Sequence, residues 1–89
     1  SNYWQNRLAQ FYLLNNSYDK AIVHFRHGID NFAGSAKIFH GLGNAYLAKK
    51  DHEHATINFK QAIKLAQENN DTKLNSYQKS LDDLLKTNE

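Results

Sequence analysis

Three observations predict an all-α fold of five helices. Apolar residues recur at spacings of three and four along most of the 89-residue chain, and no stretch alternates apolar and polar residues for more than a few positions. Proline is absent and glycine occurs only four times, so little interrupts helical runs. The chain also echoes itself. Shifted by 34 residues, Leu8 falls on Leu42, Tyr12 on Tyr46, Leu13 on Leu47, Ala21 on Ala55, Phe25 on Phe59 and Ile29 on Ile63. All six pairs are apolar or aromatic, and each copy holds two helical stripes. The predicted architecture is an α-solenoid of antiparallel helix hairpins.

The first unit spans residues 2–35, with helices expected at about 3–14 and 18–32. Leu8, Ala9 and Tyr12 mark one buried stripe and Ala21, Phe25, Gly28 and Ile29 the next, with Ser17 as the cap between them. Gly34 suits a left-handed helix end and Ser35 the following cap. The second unit spans 36–69, with helices expected at about 36–49 and 52–68. Its stripes are Phe39, Leu42, Gly43 and Tyr46, then Ala55, Phe59, Ala62, Ile63 and Ala66. Asp51 reads as the N-cap, and Glu53 suits the positive end of the helix dipole. Gly43 is expected to let the unit's two helices approach closely, opposite the small Ala55.

A third copy fails in strict register, which would place Lys73, Ser76 and Ser80 in the core. A shift of one residue restores an apolar stripe of Leu74, Tyr77, Leu81, Leu84 and Leu85, with Gln78 at the small-residue position. Residues 72–87 are therefore expected to form a helix that caps the second unit. The same stripe contains an LxxLL pattern, Leu81 to Leu85, of the kind that docks into grooves. Burial as a cap is the preferred reading.

The residues Phe39-x2-Leu42-Gly43-x2-Tyr46, Ala55-x3-Phe59 and Ala62 resemble the tetratricopeptide repeat signature. Leu8-Ala9-x2-Tyr12, Ala21-x3-Phe25 and Gly28 carry the likeness in the first unit, although Gln5 holds the aromatic site and Trp4 stands one residue early. Ala33 and Gln67 replace the closing proline. The resemblance implies a non-catalytic protein–protein interaction module that binds a peptide or protein segment in a concave groove lined by the first helix of each unit. Some family members clamp a C-terminal carboxylate with lysine, asparagine and arginine. Asn6, Gln10 and Gly41 stand at the matching positions, so that clamp is not expected.

The candidate groove residues form two matched lines: Tyr3, Asn6 and Gln10, then Lys37, His40 and Asn44 exactly one repeat later. Their amides suit the backbone of an extended peptide, while Lys37 and protonated His40 suit a carboxylate. Gly41 beside this row is expected to let a ligand backbone come close.

Other chemistry finds little support. With no cysteine, thiol catalysis, disulfides and cysteine-ligated zinc are excluded and the redox compartment is left open, cytoplasm or periplasm alike. His24 and His27 lack a third ligand, and His52 and His54 point to nearly opposite sides of one helix, so no metal is expected. "GLGNAY" lacks the third glycine and preceding strand of a dinucleotide fingerprint. No nucleophile has a base at a recognisable spacing. A net charge of +2 without a long basic run argues against nucleic acid, and no apolar stretch approaches bilayer length. No cofactor or enzyme activity is expected. The alternatives are a structural module that homodimerises through exposed solenoid ends, with Trp4, Phe11 and Leu14 at one of them, or an appendage of a larger enzyme or assembly factor.

Overall fold

The computed structural model describes residues 2–31 and 35–87, with side chains described for residues 4–29 and 35–87. Five helices follow in order: α1 Asn2–Leu14, α2 Tyr18–Asn31, α3 Ala36–Ala48, α4 His52–Glu68 and α5 Leu74–Thr87. No strand occurs among the described residues. α1 and α2 form one hairpin and α3 and α4 another. α3 packs on both α2 and α4, and α5 lies against α4. The helices make a slab of 35 × 30 × 18 Å, with α1, α3 and α5 in one layer and α2 and α4 in the other.

Three helix ends share one solution. Asn16, Lys50 and Asn70 follow α1, α3 and α4 with φ of 62°, 65° and 52°. The next amides reach back five residues, Ser17 to the Tyr12 carbonyl at 2.8 Å, Asp51 to Tyr46 at 2.9 Å and Asp71 to Ala66 at 2.9 Å. These are Schellman ends built without glycine. The expectation for Gly34 falls outside the described residues.

Side-chain and backbone caps then open the following helices. Asp51 Oδ1 accepts the His54 amide at 3.1 Å, and Ser35 Oγ accepts that of Ile38 at 3.3 Å. The Ser17 carbonyl accepts the Ala21 amide, opening α2. α5 begins two residues later than expected. Asp71 Oδ1 accepts the Lys73 amide at 2.8 Å, which holds Thr72 and Lys73 in a turn before Leu74.

The core repeats as the sequence does. Phe25 and Phe59 are both wholly buried, as are Ala9, Ala21, Ala55 and Ala62. Tyr12 and Tyr46 take like seats, each under a histidine ring of its own hairpin: His24 at 5.3 Å from Tyr12 and His54 at 5.0 Å from Tyr46. Tyr46 is the more deeply buried of the two. Arg26 of the preceding hairpin lies over its ring and donates to its hydroxyl at 2.5 Å. A Lys49–Asp19 ion pair also joins the hairpins, but it is exposed and contributes little.

Gly43 has the close approach expected of it, with a different partner. A Cβ there would stand 2.5 Å from Cδ1 and Cε1 of Phe59, so the Phe59 ring rather than Ala55 fills the space the missing side chain leaves. At the other end, Leu81 and Leu84 are buried with Tyr77, while Leu85 is exposed. Two leucines of the LxxLL pattern are therefore spent on the cap.

Candidate functional site

The face shared by α1 and α3 carries a cleft of about 360 Å³, lined by Asn6, Arg7, Gln10, Phe11, Leu14 and Lys37. Asn6 and Gln10 stand one turn apart on α1, and Lys37 enters from the first turn of α3. Asn6 is the deepest of them, only 9% exposed, and no donor among the described residues reaches its Oδ1. A buried acceptor left without a donor costs about 1–3 kcal/mol. Lys37 and Arg7 are exposed cations beside it, and Phe11 and Leu14 offer apolar surface.

Three of the seven expected groove residues therefore meet in one cleft: Asn6, Gln10 and Lys37. Tyr3 lies outside the described side chains. Asn44 belongs to a separate cleft of about 230 Å³ between α3 and α5, with Leu47, Ser80, Asp83 and Thr87.

His40 is partly buried and engaged by α5. Its Nε2 is 2.8 Å from Ser80 Oγ on α5, and its ring lies 4.7 Å from Tyr77 and 5.4 Å from Phe59. Burial, and then the positive charge of Lys73, hold its pKa below the usual histidine value, which favours the neutral ring. The expectation of a protonated His40 meeting a carboxylate is corrected accordingly. α5 occupies the space beside α3 that a ligand would need.

Gly41 is corrected too. It is buried, and a Cβ there would stand 2.6 Å from Cε1 and Cζ of Phe25 and 3.2 Å from Gln10 Nε2. The missing side chain admits the preceding hairpin's phenylalanine, not a ligand backbone.

Sequence reasoning missed Arg7, Phe11 and Leu14 as lining residues. They form a stripe spaced by four and three directly beside the Asn6–Gln10 line, which is the signal that locates them. Two further histidines are engaged within the fold: His24 Nδ1 is 3.0 Å from Gln5 Oε1 and His54 Nδ1 2.8 Å from Asp51 Oδ2. Among the described residues no group of three or more His, Cys, Asp or Glu is placed to hold a metal ion. No described helix is long and apolar enough to cross a membrane.

Residues 36–69, the second hairpin, match the family model described as tetratricopeptide repeat. Residues 36–69 are a tetratricopeptide repeat. No curated protein and no solved structure matches the chain. The matched repeat is α3, α4 and the turn between them. The hairpin before it places Ala9, Tyr12, Ala21 and Phe25 where the matched repeat has Gly43, Tyr46, Ala55 and Phe59. Tetratricopeptide repeats are in general protein–protein interaction modules, typically without catalysis of their own.

Proposed function

We propose that the chain as a whole is a tetratricopeptide repeat protein and holds an extended, acidic segment of a partner protein in the α1–α3 cleft. The observation that carries the reading is the meeting, in one cleft, of the amides Asn6 and Gln10 with the cations Arg7 and Lys37 and the apolar Phe11 and Leu14. An extended peptide backbone would lie along the cleft over Asn6. The Gln10 amide one turn away can bond the same backbone. Lys37 and Arg7 favour an Asp or Glu side chain, and Phe11 and Leu14 favour an apolar one beside it.

Selection from a library of random extended peptides tests this, followed by titration of the enriched sequences. Enrichment of acidic residues next to a large apolar one is expected. Lys37→Glu should weaken binding roughly tenfold, equivalent to about 1.4 kcal/mol. Asn6→Leu should weaken binding while raising stability, because it removes a buried unsatisfied group. Asn44→Ala, in the other cleft, should leave affinity unchanged. Peptides that bind Lys37→Glu and Asn6→Leu as well as the parent chain would place the binding surface elsewhere.

A further inference from the structure

The outer face of α1 is apolar and uncovered. Trp4 is 67% exposed, Leu8 39%, Phe11 58% and Leu14 82%, and the four lie with Arg7 on one stripe. Among the described residues no other helix presents such a face. The exposed residues of α5 are polar apart from Leu85, and on α2 and α4 only Val23 and Ile57 stand out.

Comparison with α3 shows what this face cannot hold. One repeat later, the positions of Trp4, Arg7, Leu8 and Phe11 are Ile38, Gly41, Leu42 and Ala45. Those four residues are all buried, and they form the side of α3 that meets the preceding hairpin. The contact depends on small residues: Phe25 sits where a Cβ of Gly41 would be, Ile38 Cδ1 approaches Gly28, and Ala45 is 0% exposed. In α1 the glycine and alanine seats hold Arg7 and Phe11. A preceding hairpin of the same kind has no room to stack there in the same geometry. The face is shaped for a neighbour at wider spacing.

We infer that this neighbour is a second copy of the chain, its α1 packed antiparallel against the first about a twofold axis. The stripe is self-complementary in that register. Trp4 at one end faces Leu14 of the second copy at the other, Arg7 faces Phe11 of the second copy in a cation–π arrangement, and Leu8 lies next to the axis. The four apolar residues expose about 500 Å² per copy, judged from the usual areas of such side chains. Mutual cover then gives a total near 1,000 Å², at the lower limit for a specific interface. The polar surface of α5 offers no complementary apolar patch, so closure into a pair is favoured over open head-to-tail chains. The Asn6 clefts of the two copies flank the seam and open to the same side, since Arg7, Phe11 and Leu14 line both cleft and interface.

Sedimentation and light scattering of the whole chain from about 1 μM to 1 mM read the association directly. The expected result is a rise from 10.3 kDa to twice that mass, with a dissociation constant on the order of 100 μM. The chain has one tryptophan, Trp4, so its emission should shift to the blue over the same range. Leu8→Glu should raise the dissociation constant at least tenfold without loss of helical signal. The cysteine-free chain also permits a test of register. Leu8→Cys should cross-link to itself under mild oxidation, whereas Trp4→Cys, about 15 Å along the axis from its counterpart, should not. A monomer at the highest concentration with unshifted Trp4 emission overturns the inference. So does a dimer that Leu8→Glu leaves intact, or one that cross-links through Trp4→Cys but not Leu8→Cys. Arg7, Phe11 and Leu14 serve both surfaces, so the peptide titration is run at micromolar chain, far below the dimer's dissociation constant, and Trp4 and Leu8, which do not line the Asn6 cleft, report the dimer alone.

Discussion

Replacing Gly41 by alanine separates two accounts of why a glycine stands in the middle of α3. Helix propensity alone predicts a gain of about 1 kcal/mol, because glycine is among the poorest helix formers. The packing predicts a loss. The added methyl would stand 2.6 Å from two ring carbons of Phe25, well inside contact distance. Phe25 is 0% exposed and shares the core with Ala9 and Ala21, also at 0%, so the ring has nowhere soft to go. Overpacking of this kind costs about 1–3 kcal/mol, and an overlap with a ring held on all sides belongs at the upper end. Set against the propensity gain, the net loss is about 1–2 kcal/mol, or roughly 5–15 °C in Tm for a chain this size. Thermal and urea unfolding followed by far-ultraviolet circular dichroism measure it. Combining the change with Phe25→Leu, which shortens the opposing group, should recover at least about 1 kcal/mol of coupling in a double-mutant cycle. A Gly41→Ala chain as stable as the parent, or more so, would refute the packing account and return Gly41 to the binding face.

Two further outcomes follow from the helix ends and the cap. The folded state depresses the His40 pKa, so its contribution is fully present above the unfolded value of 6.5 and is lost as pH falls through the lower folded value. Urea midpoints measured from about pH 7.5 down to 5 should fall less steeply for His40→Gln than for the parent chain, and an unchanged slope would assign the acid sensitivity to other groups. Lys50→Gly should raise stability by about 0.5–1 kcal/mol by relieving a left-handed non-glycine residue. Asn16→Gly should gain less, since asparagine tolerates that conformation; equal gains at both positions would show that backbone strain is not what the substitutions relieve.

What the sequence revealed, it revealed through periodicity. The 34-residue echo and the one-residue shift that makes Leu74, Tyr77, Leu81 and Leu84 a stripe both depend on single helices, and a helix wheel reads single helices well. The uncovered Trp4, Phe11 and Leu14 were legible for the same reason. Gly41 was not, because its partner Phe25 belongs to the previous hairpin and a wheel drawn for α3 shows only an empty position beside a polar row. His40 failed in the same way: Ser80 and Tyr77 lie about forty residues on, and only the packing of α5 brings them over its ring. The helix ends were hidden by chemistry, since Asn16, Lys50 and Asn70 adopt a conformation for which glycine is the usual signal.

The three helices of the first layer show how one repeat position reports its neighbour. In α3 the seats facing backwards are Gly41 and Ala45, and the seat facing its own partner helix is Gly43, so α3 is fitted closely on both sides. In α1 the inner seat is still small, Ala9, but the outer ones are Arg7 and Phe11. In α5 the Gly43 seat has become Gln78, which is exposed and donates to Asp82 at 3.2 Å. Close stacking is thus written into the middle helix alone. α5 turns a polar surface outwards and covers His40, which removes the α3–α5 side from the groove. α1 turns an apolar surface outwards and leaves the Asn6 cleft open at its edge. Both proposed partner surfaces are therefore concentrated at α1, where a polar cleft and an exposed apolar stripe stand on adjoining faces of the same thirteen residues.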